Sequence, residues 1–332
     1  MNKSSSQPRK RKSTEKKGKK TYKVRNWREY NEALVNRGRV FFWVTEAALK
    51  AWNEEPKTKR KRGKPRLISN TAIETSLTLG QVFSLSLRST EGFIASLLER
   101  IGSDLKAPDY STLCVRARNL PVSLCARPLG KEPLHVTVDS TGVKVYGEGE
   151  WKVRQHGWSK HRRWKKLHIG IDENSGDIIM GTVSGNDTAD CEAFPSLLKQ
   201  LPAEVDLAKV SADGAYDKRV CYDELSSRNV ATVAIPPQKN AKIWQHGNAI
   251  AERLARDENL RRIRAIGRKR WKAEIGYHRR SLVETAMFRL KTIFGGSVSL
   301  RTNASQRTEL LLRCKALNRM TSLGMPDSYS VA

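Results

Sequence analysis

Residues 167–183 read LHIGIDENSGDIIMGTV. Two apolar, β-branched runs, 167–171 and 178–183, flank Asp172-Glu173-Asn174-Ser175-Gly176-Asp177. Small polar residues and a glycine close tight turns readily, so the stretch predicts a β-hairpin. On its N-terminal side, residues 134–138 (LHVTV) form a third short β-rich run that ends at Asp139-Ser140. On its C-terminal side, 189–201 reads as a helix in which Pro195 either makes a kink or starts the regular part. Residues 208–212 read as a strand ending at Asp213-Gly214, 216–226 as a helix, and 230–235 as a strand closed by Pro236-Pro237. Helical periodicity then covers about 248–266, 270–293 and 305–322. Three strands followed by alternating helix and strand predict an α/β core, a mixed sheet with flanking helices.

The region before this core is different. Residues 71–87, 90–101 and about 111–120 each carry apolar residues at helical spacing, with Asp109 and Ser111 as N-cap candidates for the third. Three short helices, the last carrying Arg116 and Arg118, fit either a helix-turn-helix DNA-binding module or a plain helical bundle. The expected organisation is a disordered basic tail (1–26), a short structured piece with a basic linker (27–66), a helical module (67–130) and an α/β domain (131–328).

The formal net charge of +28 is concentrated. Residues 1–66 hold 22 Lys and Arg against 6 Glu, 151–168 hold 7 against no acid, and 251–291 hold 13 against 5. The rest is close to neutral, so these basic segments call for a polyanion, and DNA is the leading one. In 151–168, Trp151, Trp158 and Trp164 alternate with cations that include Lys165 and Lys166. Such tryptophans either stack on unpaired bases or anchor a long loop to the core. Trp244 and Trp271 read as core residues before base-stacking ones. No uncharged run reaches the roughly 18 residues of a membrane helix, and the first 25 residues hold no apolar signal stretch. Five cysteines without a C-x-x-C pair argue against a disulfide framework or structural zinc, and for a reducing cytosol.

Three acids occupy special places. Asp139 and Asp213 end strands, where α/β sheets open a ligand crevice, and Glu284 lies in the late helical segment. An aspartate at a strand end is also an ordinary turn-former. The late segment says more. On one continuous helix Tyr277, Arg280, Glu284 and Lys291 fall within about 60° of one another, while Ile275, Leu282, Ala286, Leu290 and Ile293 face the other way, onto the sheet. One acid among Tyr, Arg and Lys suits a metal-bound phosphodiester; a solvated face with spaced ion pairs has the same appearance.

The spacing of Tyr277, Arg280, Glu284 and Lys291 resembles the Tyr–Arg–Glu–Lys signature of bacterial insertion-sequence transposases. Asp139-Ser140-Thr141-Gly142 and Asp213-Gly214-Ala215-Tyr216-Asp217 look like the two aspartate motifs of their DDE catalytic domain. Residues 147–151, 164–168, 276–281 and 324–326 are similar to the insertion-sequence-five group, so the resemblance extends over about 60–328. It implies an RNase H-like fold in which Asp139, Asp213 and Glu284 hold two divalent metals, Mg²⁺ or Mn²⁺. It implies cleavage of double-stranded DNA at terminal inverted repeats, attack of the freed 3′-hydroxyl on target DNA, and a homodimer joining both ends. Tyr277, Arg280 and Lys291 would grip the terminal phosphates, in a cytoplasmic, nucleoid-associated protein. Gln238 departs from the group, where Arg is expected, and the basic tail is unusually long. Asp213 and Glu284 stand only 71 positions apart, too few for a large insertion domain. Asp217 reads as a stand-in ligand or as an acid at a helix N-terminus. The competing functions are an RNase H-like nuclease without strand transfer and a non-catalytic DNA-binding protein.

Overall fold

The computed structural model describes residues 21–54, 67–125, 132–145, 164–245 and 253–331. Most of the basic tail, the linker, and the segment holding Trp151 and Trp158 lie outside the described residues.

The hairpin is present. β3 (Trp164–Asp172) and β4 (Ile178–Gly185) pair antiparallel, and Asp172 accepts hydrogen bonds from the backbone N–H groups of Asn174 and Ser175 in the turn. β2 (Leu134–Val145) pairs antiparallel with β3 on one side and parallel with β5 (Leu207–Ser211) on the other. β6 (Thr232–Ala234) continues in parallel beyond β5, and β7 (Ser297–Val298) pairs with the far end of β2. The order β4-β3-β2-β5-β6 is a mixed α/β sheet consistent with an RNase H-like core.

β2 is longer than its sequence suggests. Thr141-Gly142 reads as a turn, yet β3 holds β2 extended as far as Lys144. Gly142 lies against the Trp164 ring, where an added Cβ would stand in ordinary contact at 3.4 Å. Asp139 therefore lies within the strand, not at its end. The parallel partner β5 stops earlier, at the pair Thr137–Ser211, and β7 joins only at Lys144. Between those two points, where Asp139 lies, one side of β2 lacks a described ladder partner.

Helices cover both faces. α7 (Asp190–Leu198) and α8 (Arg219–Ser227) pack Phe194, Leu197 and Leu225 on Val136, Val138 and Val210. The opposite face holds α11 (Ser281–Phe294) and α12 (Asn303–Ser322), which bury Val283, Leu290, Leu310 and Leu317 on Leu167, Ile169 and Ile171. The N-terminal helices α4 (Asn70–Val82), α5 (Leu87–Arg100) and α6 (Tyr110–Arg116) are capped by Ser69, Ser86 and Asp109, the last of these an expected cap. Asp109 accepts from the Thr112 N–H at 2.8 Å, and donation from Ser111 and Thr112 holds its carboxyl down at about 2. These helices pack into the α/β core: Leu79, Ile94 and Leu98 share one cluster with Ile169 and Leu317, and Ile73, Leu77, Leu113 and Leu120 share a smaller one with Leu312 of the C-terminal helix. Residue 130 thus marks no packing boundary. Before them lie α1 (Trp27–Arg37), α2 (Val40–Trp43) and α3 (Glu46–Lys50), with Trp43 and Trp52 buried. The expected tail stops short of residue 26, because β1 (Thr21–Val24) pairs antiparallel with β8 (Ser328–Val331). Among the described residues no helix is long and apolar enough to cross a membrane.

Candidate active site

The predicted continuous helix over 270–293 is broken. α9 (Ala255–Ile266) and α10 (Arg268–Glu274) come first, and then Gly276 takes φ +67°. A left-handed residue ends a helix, and glycine takes it without a Cβ penalty. Tyr277–Arg280 form a 3₁₀ turn, and α11 starts afresh at Ser281. Its buried face is Val283, Ala286, Met287, Leu290 and Phe294, so the predicted phase is corrected: Ile275, Leu282 and Ile293 are only half-buried. Tyr277 does not share a solvent stripe with Glu284. It is buried, its ring centroid 6.2 Å from that of Trp271 and 5.7 Å from the Arg280 guanidinium.

The break sets Arg280 between Asp139 and Glu284. Val136 and Val138 pack toward α7 and α8, so Asp139 faces the other way, under α11. Arg280 donates from Nη1 to Asp139 Oδ2 at 2.6 Å and from Nη2 to Glu284 Oε1. Asp213 follows β5, and its Oδ1 accepts the Ala215 N–H at 2.8 Å to open the 3₁₀ turn Gly214–Tyr216. Burial pushes the Asp139 carboxyl above the usual range. Donation from Ser140 N–H and the Arg280 charge pull it down, Asp213 and Glu284 push it up, and the net shift is upward. Burial alone would lower Arg280; Tyr277, Asp139, Glu284 and Asp213 outweigh it and hold the guanidinium more firmly charged. Burial, with Asp213 and Asp139, raises the Tyr277 hydroxyl despite Arg280.

Three carboxylates with no imidazole or thiolate among them are donors for a hard divalent cation. Among the described residues no three acids, histidines or cysteines converge closely enough to form a metal cluster. The positive charge between Asp139 and Glu284 is that of Arg280. The donor chemistry fits a divalent metal, with Arg280 as the internal counter-cation.

The other sequence-derived residues are spread out. Lys291 is half-buried, two turns beyond Glu284 on α11. Arg116 donates to Ile68 O at 2.9 Å and Asn70 Oδ1 at 2.6 Å, tying α6 to the start of α4. Arg118 is exposed and borders a cleft of about 480 Å³ with Arg307. Trp164 and Lys165 start β3, with Lys144 Nζ 5.7 Å from the Trp164 ring centroid. Lys166 points elsewhere, donating to Thr188 O at 2.9 Å and Asp190 Oδ1 at 3.4 Å. Trp151 lies outside the described residues.

Asp217 is neither exposed nor at a helix start. It is buried, accepting from Arg256 Nε at 2.7 Å and from the Gln238 N–H at 3.0 Å. Arg256 in turn lies 3.8 Å from the Trp244 ring centroid and donates to Lys242 O. The sequence shows Arg256 only as one cation in a basic segment, and nothing local marks it as buried. Trp271 is buried and donates to Asn259 Oδ1, as a core residue does.

Two family models described as "Transposase DDE domain" match the chain, over residues 35–148 and residues 130–319. Among solved structures, the cryo-EM structure of the piggyBac transposase synaptic complex with hairpin DNA is similar over 87% of this chain and 74% of that chain. The sequence identity is 11% and the TM-score 0.34.

Proposed function

The chain belongs to the DDE transposase family, and from that premise we propose that it mobilises an insertion sequence by binding its terminal inverted repeats, cutting at the ends and transferring the 3′-hydroxyl strands into target DNA. DDE transposases are metal-dependent enzymes that cut and join DNA. The observation that carries the reading is the Arg280 bridge, which ties Asp139 on β2 to Glu284 on α11 beside Asp213.

Asp139, Asp213 and Glu284 would hold two divalent ions, Mg²⁺ or Mn²⁺. When bound, these supply Lewis-acid activation of the attacking oxygen and stabilisation of the leaving one. The chain's own groups do the rest. The Arg280 fork binds two non-bridging phosphate oxygens side by side, which fixes the phosphate for in-line attack. The Tyr277 hydroxyl, its proton held more tightly by burial and the acids, donates to the same phosphate. Lys291 neutralises the next phosphate along the strand. Trp164, Lys165 and Arg118 bind DNA farther out, helped by the basic tail, while Arg116 serves by holding α6 in place. Two copies of the chain hold the two ends. The motifs at 164–168 and 276–281 favour the insertion-sequence-five type.

The test is nicking of a supercoiled plasmid carrying the DNA that flanks the gene, with Mg²⁺, Mn²⁺ or EDTA. Metal-dependent nicks at repeat ends, absent with Glu284→Gln, are the expected result. Nicks at random positions would indicate a nuclease, and repeat-specific binding with no cleavage in any metal would overturn the catalytic reading.

A further inference from the structure

A fourth carboxylate lies buried beneath the triad. Glu173 occupies the turn between β3 and β4 and is 4% exposed. Its Oε1 accepts from Thr137 Oγ1 at 2.7 Å and from Ser211 Oγ at 3.4 Å, and its Oε2 from Lys209 Nζ at 3.3 Å. Lys209 also donates to Gly276 O at 3.1 Å, and Arg279 donates from Nη2 to the Glu173 carbonyl at 2.5 Å.

Each of these partners adjoins a member of the triad. Thr137 precedes Asp139 by two residues, on the same face of β2. Ser211 precedes Asp213 by two residues at the end of β5. Gly276 and Arg279 belong to the turn that leads through Arg280 into Glu284. One buried carboxylate thus joins the three chain segments that carry the triad. The hairpin does not need it, because Asp172 already satisfies the turn. A buried charge persists where its partners satisfy it, and a fully satisfied network is rigid.

We infer that Glu173 is a positioning residue for the Asp139–Asp213–Glu284 triad, acting through Thr137, Ser211, Lys209 and the 276–280 turn without touching DNA or metal. The inference rests on the active-site reading above.

The test compares wild type, Glu173→Gln, Thr137→Val and Glu284→Gln. Folding is followed by circular dichroism, plasmid affinity by filter binding, nicking rate per folded molecule on the plasmid, and Mn²⁺ half-saturation by electron paramagnetic resonance on the DNA-bound protein. Displacing a reacting group by about 1 Å costs on the order of 100-fold in rate. Glu173→Gln is expected to lose nicking on that scale and to require more Mn²⁺, with plasmid affinity within about twofold of wild type. Thr137→Val removes one tie without burying a charge, and is expected to slow nicking several-fold with the same split. If Glu173→Gln does not fold, Thr137→Val decides alone. A folded variant that nicks and binds Mn²⁺ like wild type, while Glu284→Gln is inactive, overturns the positioning role only. Glu284→Gln nicking like wild type overturns the active-site reading and the positioning role with it.

Discussion

Arg280 Nη1 lies 2.6 Å from Asp139 Oδ2, so the residue just before α11 is clamped to the middle of β2 across 141 positions of sequence. The same guanidinium reaches Glu284. In this state it is the cation that keeps two neighbouring carboxylates from repelling each other.

Arg280→Lys keeps the charge but loses the fork, because an ammonium cannot make two parallel bonds in fixed geometry. Plasmid nicking should fall on the order of 100-fold, the usual effect of removing one preorganised donor from developing charge. Melting in EDTA should also come earlier than for wild type. Nicking within a fewfold of wild type would show that the fork is not used.

Asp139→Asn should abolish nicking yet raise the melting temperature in EDTA. Burial holds the Asp139 carboxyl above its usual range, so the folded state prefers it protonated. Stability from such a group is present below the unfolded value and lost as pH rises through the folded value. At neutral pH the ionised side chain therefore costs stability, and the neutral isostere relieves it. Thermal melts of both proteins from acid to neutral pH should diverge as pH rises; a variant that melts lower at neutral pH would contradict this.

Arg256→Met leaves Asp217 and Asp257 buried without their cation. Breaking a buried pair in this way costs roughly 3–5 kcal/mol, which urea unfolding will read directly. A loss below about 1 kcal/mol would mean that these carboxylates find water or protons instead.

Gly276→Ala imposes a side chain on a left-handed residue, and its Cβ would stand 3.2 Å from Lys209 Nζ. The conformation alone costs roughly 1–2 kcal/mol. The strained turn carries Arg280, so nicking should slow more than stability falls. Unchanged nicking with the expected loss in urea unfolding would separate the turn from the chemistry.

The strand-turn-strand signal at 167–183 and the Asp109 cap were legible, because turn chemistry and strand alternation are local. The predicted continuous helix over 270–293 failed at Gly276. Periodicity cannot register a left-handed residue whose place is fixed by Lys209 approaching from β5. The internal hydrogen bonds of Arg116 and Lys166 were not legible, because a free cation and an internally bonded one are identical in sequence.

The sequence by itself therefore determined the α/β class and the motifs in which Asp139, Asp213 and Glu284 stand. Only the tertiary structure decided that Arg280 bridges Asp139 and Glu284, that Glu173 and Arg256 are buried, and that β2 runs on past Asp139. These facts depend on register between strands far apart in the chain. A slip of one residue would turn Asp139 to the opposite face, and no local pattern encodes the partner that prevents it.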